Sequence, residues 1–296
     1  MRAAEPARDA AAVWDIAVPS QPGRLAGVSM AGFRARANDP VDLRVVPYPA
    51  VTVVIDLGGG LLVDDVSGQR KRGSLVAGLA PGTVRGHGRD IECLQVRLSP
   101  LAAHAVLGAG SQLGGTVVAL DDLWGRDAAR TEEQLRAAGS WEDRFAIAQA
   151  ALARRYEAGR AADPEVAFAW AQMVTGQGQV RVDQLAAETG WSRKRLWSRF
   201  RSQIGLTPKR AAQLIRFDHA AHRLAAGHSA ALVAAEGGYA DQSHLHRDVT
   251  TFAGITPRAV AAAPWLAVDD IAWAAPEHPP GTSLKPAPPR HRYPPR

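Results

Sequence analysis

Residues 186–208 read AAETGWSRKRLWSRFRSQIGLTP, and residues 234–257 read AAEGGYADQSHLHRDVTTFAGITP. The element Ala-Ala-Glu, followed by glycine and an aromatic residue, recurs after 48 residues, and the element Gly-x-Thr-Pro recurs after 49. Two landmarks in the same order and at nearly the same spacing indicate one supersecondary unit that is present twice. The duplication therefore predicts the architecture of this part of the chain.

Each unit has the pattern of two helices joined by a tight turn. In the first unit, Leu185 and Ala186 belong to an apolar stripe typical of an amphipathic helix. Gly190 can adopt the left-handed conformation that ends such a helix. Ser192 is a typical N-cap for a second helix that runs to about Ile204.

The second unit repeats this arrangement. Gly237-Gly238 supplies the turn, Asp241 supplies the N-cap, and Leu245 and Phe252 belong to the inward stripe of the last helix. Two helices joined by a short glycine-containing turn form a helix-turn-helix, whose second helix can enter the major groove of DNA. The sequence therefore predicts two reading helices in one chain.

One long helix is predicted between the two units, from about Pro208 to Ala226. At about 1.5 Å per residue this helix spans roughly 28 Å. One turn of B-DNA is roughly 34 Å, so the spacing favours two reading helices in successive major grooves on one face of the duplex. A monomer would then read a site that other helix-turn-helix proteins read as dimers.

Helical phase predicts which side chains face the DNA. In the first unit we assign base readout to Lys194, Trp197 and Ser198, and phosphate contacts to Arg193, Arg195 and Arg201. In the second unit the outward candidates are Gln242, Ser243, His246, Arg247 and Thr250. Arg199 lies nearer the core boundary, where an internal ion pair is the alternative to a DNA contact.

Charge agrees with this interpretation without deciding it. Residues 161–262 hold twelve Lys and Arg against eight Asp and Glu, within a chain of net charge +6. A basic cluster in a folded segment favours a polyanionic partner, because neutralising phosphates releases condensed counterions. A solvated helix face would have the same composition.

Residues 163–262 resemble the AraC/XylS family of bacterial transcription regulators. The first unit carries Ser192-x3-Leu196-x2-Arg199-Phe200-x4-Gly205-x-Thr207-Pro208. The second unit carries Gly238-Tyr239-x-Asp241-Gln242-Ser243-His244-Leu245-x-Arg247 and Phe252-x-Gly254-x-Thr256-Pro257. The resemblance implies a domain of seven helices with two helix-turn-helix motifs. Ser198 stands where many members have arginine, and Trp197 is large for a base-facing position.

The first 160 residues have the pattern of short strands followed by helices. Strands are predicted at 51–57, 60–63, 74–79 and 91–98, and helices at about 100–108, 127–138 and 141–158. The expected fold class is α+β: an N-terminal cupin-like β-barrel or sandwich with a helical appendage at 1–160, and an all-α domain with two helix-turn-helix motifs at 161–262. The cupin-like assignment, with a sensory and dimerisation role, comes from the family resemblance. Residues 263–296, rich in proline and basic at the end, are expected to be a disordered tail.

No catalytic, cofactor-binding or metal-binding residue is assigned. Gly58-Gly59-Gly60 is interpreted as a hairpin turn, because a phosphate-binding loop needs a helix N-terminus behind it. The pairs His219/His222 and His244/His246 show no third metal ligand. The single cysteine, Cys93, lies in an alternating strand and is expected to be buried, with a redox or alkylation sensor as the alternative.

The sequence thus predicts a cytoplasmic, sequence-specific regulator whose partner is double-stranded promoter DNA. Absence of an eighteen-residue apolar run argues against a membrane partner. Further expected partners are an unidentified small-molecule effector in the N-terminal domain, RNA polymerase, and a second copy of the chain bound through that domain. Two alternatives stay open: an N-terminal cupin-type or Cys93-dependent enzyme or sensor targeted to DNA, and a non-specific DNA-coating protein.

Overall fold

The structure is a computed structural model that describes residues 13–21, 23–36, 40–79, 82–108 and 112–273. It confirms the expected fold class, with an N-terminal domain built on β-sheets and a C-terminal helical domain. Within these residues, none of the helices combines the length and the hydropathy needed to cross a bilayer.

The N-terminal domain contains two antiparallel sheets. Its described strands are β1 (Trp14–Ala17), β2 (Val28–Ala35), β3 (Val41–Val45), β4 (Val51–Asp56), β5 (Leu61–Asp64), β6 (Arg70–Arg72), β7 (Leu75–Ala77), β8 (Val84–Gly88), β9 (Glu92–Leu98) and β10 (Val117–Ala119). One sheet has the order β1-β2-β9-β4-β7-β10, and the other has the order β3-β8-β5-β6.

Twelve helices lie in the described residues. Those of the N-terminal domain are α1 (Pro100–Leu107), α2 (Leu120–Trp124), α3 (Arg126–Ala137) and α4 (Trp141–Ala158). Those that follow are α5 (Pro164–Thr175), α6 (Val182–Glu188), α7 (Arg193–Ile204), α8 (Pro208–Ala225), α9 (Ala230–Glu236), α10 (Gln242–Ala253), α11 (Pro257–Ala261) and α12 (Pro264–Ala272).

The six-stranded sheet is covered on both faces, which explains the continuous apolar run of β4. Val53 and Ile55 face one hydrophobic cluster together with α1 and α4, whereas Val54 faces a second cluster together with Cys93. A strand buried on both faces needs no polar alternation. The second cluster is shared with the four-stranded sheet, so the domain is a sandwich whose helical appendage lies on the outer face of the larger sheet.

The hairpin predicted at Gly58–Gly60 is wrong. β4 pairs with β7 and β9, whereas β5 pairs with β6 and β8, so the glycine segment carries the chain from one sheet to the other. Asp56 Oδ1 accepts a hydrogen bond from the Gly59 amide at 3.0 Å, and Gly59 has a left-handed φ of 76°. The local turn chemistry was interpreted correctly, but pairing partners are decided by contacts distant in sequence.

The C-terminal domain consists of the seven helices α5–α11, as the family resemblance implies. The long helix α8 contacts α5, α7, α9, α10 and α11 and so lies at the centre of the domain. Its side chains Leu214, Phe217 and Leu224 are almost fully buried. The predicted end at about Ala226 is one residue beyond the observed end at Ala225.

The expectation of a disordered tail from residue 263 is wrong for residues 263–273. Pro264 begins α12, a position at which the missing amide hydrogen costs nothing. Val268 and Ala272 then join the hydrophobic cluster of the β domain, so tertiary burial stabilises a helix that the proline-rich composition concealed. Residues 274–296, for which disorder was also expected, lie outside the described residues.

Candidate nucleic-acid interface

The first reading helix, α7, is held by local signals and by its buried face. Gly190 has a φ of 68° at the turn, and Ser192 Oγ accepts a hydrogen bond from the Arg195 amide at 3.2 Å. Leu196 and Phe200 are fully buried, and the Phe200 ring lies 6.5 Å from that of Trp170 on α5. This packing fixes the rotation of α7 and therefore which residues face outward.

Every residue predicted on α7 to meet DNA is exposed. These residues are Arg193, Lys194, Arg195, Trp197, Ser198 and Arg201. The Trp197 side chain is 45% exposed, which is unusual for an indole in the absence of a partner. No Asp or Glu lies between residues 193 and 204, so any acidic partner of these side chains comes from another element.

Neighbouring groups orient the arginines of this face. Arg195 lies over the Trp191 ring at 4.4 Å, and Arg201 lies over the Trp197 ring at 5.2 Å. Arg193 Nε donates to Asp183 Oδ1 on α6 at 2.9 Å. A guanidinium stacked on a ring keeps its in-plane N–H groups free for phosphate oxygens. Trp197 therefore has an observed role, support of Arg201, beside its predicted contact with bases.

Arg199 forms an internal ion pair, which was the alternative to a DNA contact. Its Nε and a terminal nitrogen donate to the two carboxylate oxygens of Asp163 at 2.7 and 2.8 Å. These hydrogen bonds hold the pKa of the Asp163 carboxyl below its ordinary value. The backbone amide of Asp163 also donates a hydrogen bond to Gln203 Oε1 on α7 at 2.8 Å. Arg199 thus anchors α7 to the start of α5.

The second reading helix, α10, repeats the construction of the first. Gly238 has a φ of 71°, and Asp241 Oδ1 accepts from the His244 amide at 2.7 Å. Leu245, Val249 and Phe252 are buried. All five residues predicted on α10 to meet DNA are exposed, namely Gln242, Ser243, His246, Arg247 and Thr250.

A buried ion pair between α8 and α10 was missed from the sequence. Arg216 donates to Asp248 Oδ2 at 2.8 Å, and the two side chains are only 15% and 14% exposed. Arg216 also lies over the Tyr239 ring at 4.7 Å, and burial raises the pKa of Tyr239 to about 12. Phe217 stacks on Phe252 with ring centroids 5.0 Å apart. The only sequence signal was an arginine within the apolar run of α8.

One histidine of each pair considered for metal binding has another partner. His222 Nδ1 lies 2.9 Å from the Asp218 carbonyl oxygen, and the His244 ring lies edge-on against Tyr239. Within the described ranges, no group of three or more His, Cys, Asp or Glu side chains is arranged to hold a metal ion.

A cavity of about 130 Å³ lies between the two sheets of the N-terminal domain. Its wall is mainly apolar and includes Val41, Leu43, Val54, Leu61, Val63 and Ile91. Tyr48, Thr52 and Gln95 contribute its polar groups, and Tyr48 hydrogen-bonds to Thr52. An apolar chamber with few polar groups is typical of a small-molecule site.

Cys93 lines this cavity and is only 2% exposed. Burial raises the pKa of its thiol to about 12, with the Asp56 and Glu92 carboxylates acting in the same direction. Redox sensors and nucleophilic cysteines need the opposite, a lowered pKa and access to solvent. The thiol therefore has the environment of a small hydrophobic side chain.

Comparisons with known proteins agree with the duplicated motifs. Residues 185–263 match the family described as "Helix-turn-helix domain". No curated protein matches the sequence significantly. The family match confirms that this part of the chain is a helix-turn-helix domain.

Among solved structures, ToxT from Vibrio cholerae with a bound unsaturated fatty acid has 9% identity and a TM-score of 0.47, covering 87% of this chain and 100% of its own. The P21 crystal form of ToxT from Vibrio cholerae has 11% identity and a TM-score of 0.46, covering 80% of this chain and 99% of its own. The AraC-like transcriptional activator CuxR has 16% identity and a TM-score of 0.26, covering 81% and 93%. At such TM-scores, these similarities carry no argument about ligands or mechanism.

Proposed function

We propose that this chain is a sequence-specific transcription regulator that inserts α7 and α10 into successive major grooves of promoter DNA. The observation that carries the proposal is the duplicated geometry of the two reading helices. Each follows a left-handed glycine, begins at a side-chain cap and packs its apolar stripe inward, so that its first turns stay open to a duplex.

The spacing of the two helices supports a bipartite site. Both pack against α8, whose eighteen residues span about 27 Å at about 1.5 Å per residue. The buried pair Arg216–Asp248 and the stacked rings of Phe217 and Phe252 hold α10 rigidly on that spacer. We expect two half-elements about one helical turn of DNA apart.

The two helices contribute differently to binding. On α7, Arg193, Arg195 and Arg201 contact phosphates, while Lys194, Trp197 and Ser198 contact base edges. On α10, the amide of Gln242 and the guanidinium of Arg247 suit adenine and guanine edges, and Ser243, His246 and Thr250 complete its outward face. Because α7 is the more basic, it supplies most of the salt-dependent affinity.

We expect the N-terminal domain to regulate DNA binding. The cavity between its sheets receives a small-molecule effector, and the domain joins two copies of the chain. Promoter DNA as the partner places the protein in the cytoplasm, with RNA polymerase as a further contact. A Cys93-dependent enzyme or sensor is disfavoured by the buried, protonated thiol.

Selection of bound duplexes from a random library by the full chain, at two salt concentrations, tests the proposal. We expect a motif with two half-elements about one helical turn apart. Lys194→Ala should weaken binding to that motif by ~1–3 kcal/mol and relax the preference at one base position. Arg130→Ala, which removes an exposed charge from α3, is the matched control and should change neither.

Two results would contradict the proposal. Recovery of no motif, with binding that vanishes at the higher salt, would favour the DNA-coating alternative. Equal losses for Lys194→Ala on the selected and on random duplexes would make Lys194 a phosphate contact and remove it from base readout.

A further inference from the structure

Helix α12 belongs in sequence to the DNA-binding side of the chain but packs against the β domain. Val268 and Ala272 are buried among residues of β1, β2 and β3, and the Trp273 ring lies 6.4 Å from that of Phe33. The helix contacts β1 and β3 directly. It therefore connects the end of the DNA-binding domain to the β-sandwich.

An almost buried arginine lies beneath this helix. Arg97 on β9 has 16% of its side chain exposed, and a terminal nitrogen donates to Asp269 Oδ1 on α12 at 2.6 Å. The guanidinium lies between two rings, 4.0 Å from the centroid of Tyr48 and 4.2 Å from that of Trp273. Its Nε is buried and has no hydrogen-bond partner among the described residues.

The same arginine lines a small cavity that neighbours the apolar one. A cavity of about 70 Å³ is lined by Arg97, Asp269 and Trp273, and it shares Tyr48 and Gln95 with the apolar cavity of about 130 Å³. An unpartnered N–H in a buried site is costly, whereas a carboxylate matches the fork of a guanidinium with two parallel hydrogen bonds. The two neighbouring cavities together offer an apolar wall and one cationic group.

We propose that Arg97 binds the carboxylate of a small monoanionic ligand whose apolar body fills the cavity between the sheets, and that this ligand displaces Asp269 and so releases α12. The inference rests on the proposed effector role of the cavity and names the chemical class of the effector. A cavity of about 150 Å³ accommodates benzene, so a body of about one ring or a short branched chain fits.

Exchange of one anion for the other follows from electrostatics. One guanidinium neutralises one carboxylate, and two carboxylates forced against it in a site of low dielectric would repel each other. Asp269 is the carboxylate that can leave, because it lies on a helix of nine residues near the end of the described chain. Its departure also ends the 3.9 Å approach of Asp269 Oδ2 to His222 Nε2 on α8. Ligand binding would thereby remove a contact between α12 and the spacer helix of the DNA-binding domain.

Calorimetric titration of the full chain with 3-phenylpropionate, and with the neutral 3-phenylpropan-1-ol, tests the binding site. We expect the acid to bind about tenfold more tightly than the alcohol, and Arg97→Met to abolish that preference. Asp269→Asn removes the internal competitor and should bind the acid about tenfold more tightly than the wild type, whereas Asp269→Glu should not. Arg85→Met removes an exposed, paired arginine of the same domain and should leave both affinities unchanged.

Hydrogen exchange of the α12 amides tests the displacement. Addition of the acid should speed exchange across residues 264–272 in the wild type, and addition of the alcohol should not. If Arg97→Met fails to fold, the double variant Arg97→Met/Asp269→Leu, which leaves no buried charge unpaired, serves for the same titration.

Several outcomes would overturn the inference. Equal affinity of acid and alcohol, or retention of the preference in Arg97→Met, would remove Arg97 as the head-group site. Acid binding without faster exchange in α12 would exclude displacement of Asp269. Failure of every variant to bind the acid, in preparations that still hold their selected duplex, would refute this inference and leave the proposed reading of DNA intact; loss of specific duplex binding by the wild type would instead refute the proposed function.

Discussion

Replacement of Asp248 by alanine leaves the guanidinium of Arg216 without its carboxylate at the junction of α8 and α10. The side chain of Arg216 is only 15% exposed, and its Nε already lacks a partner among the described residues. Water therefore has little access to replace the lost hydrogen bond. We expect α10 to lose stability relative to the rest of the domain.

The size of the effect follows from the burial of the pair. Breaking a buried ion pair by removing one partner typically costs ~3–5 kcal/mol, because the remaining charge is left uncompensated. The partial exposure of Arg216 and its contact with the Tyr239 ring place the expected loss near ~3 kcal/mol. Removing both charges in Arg216→Met/Asp248→Leu should recover most of that loss.

The first helix-turn-helix unit supplies a matched control. Arg193 and Asp183 form the same kind of pair at 2.9 Å, but their side chains are 76% and 55% exposed. Asp183→Ala should therefore cost only ~0.2–1 kcal/mol. Native-state hydrogen exchange of the α10 and α7 amides measures both losses as local free energies of opening.

Equal losses for the two aspartate variants would refute the argument, since burial is the main difference between the pairs. A double variant as unstable as Asp248→Ala would also refute it, because the penalty would then not come from the unpaired charge. For DNA, Asp248→Ala should reduce selection at the half-element bound by α10 more than at the half-element bound by α7.

Three further predictions concern single positions. Gly190→Ala and Gly238→Ala each place a side chain at a left-handed φ and should lower the free energy of unfolding by ~1 kcal/mol, measured by thermal unfolding. The loss should be larger at Gly238, where a Cβ would lie 2.9 Å from the Gln179 side chain. Equal losses would exclude that contact as a cause. Burial raises the pKa of Asp218 from 3.8 to about 6, with Asp269 adding to the rise and His222 opposing it. The folded state therefore binds the proton more tightly, and stability falls as the pH rises between about 4 and 6; Asp218→Asn should remove a fall on the order of 2 kcal/mol in denaturant titrations across this range, and an unchanged pH profile would contradict it. Cys93, buried with a pKa of about 12, should resist iodoacetamide in the native protein and react after denaturation, and rapid native alkylation monitored by mass would restore the sensor alternative.

Local signals made the C-terminal domain predictable. The caps at Ser192 and Asp241, the turn glycines at 190 and 238 and the inward stripes of α7 and α10 all act within a few residues along the chain. The duplication made each unit a check on the other. The same helical phase that buried Leu196 and Phe200 predicted an outward face, and its DNA contacts stay a prediction.

Local signals were weaker in the N-terminal domain. The four predicted strands correspond to β4, β5, β7 and β9, with ends that differ by one or two residues. The short strands β3, β6 and β8 carry several arginines and glycines and had no apolar run to mark them. Strand pairing also depends on partners far along the chain, which is why the segment at Gly58–Gly60 was assigned to the wrong connection.

The amino-acid sequence by itself thus determined the two reading helices, the turns before them and the spacer between them, because their specifying interactions are short-range. Only the tertiary structure decided that residues 263–273 form a helix against the β domain, that Arg216 pairs with Asp248, and that Arg97 pairs with Asp269 across 172 residues. These interactions gain their strength from exclusion of water, and exclusion of water arises only when distant segments pack together.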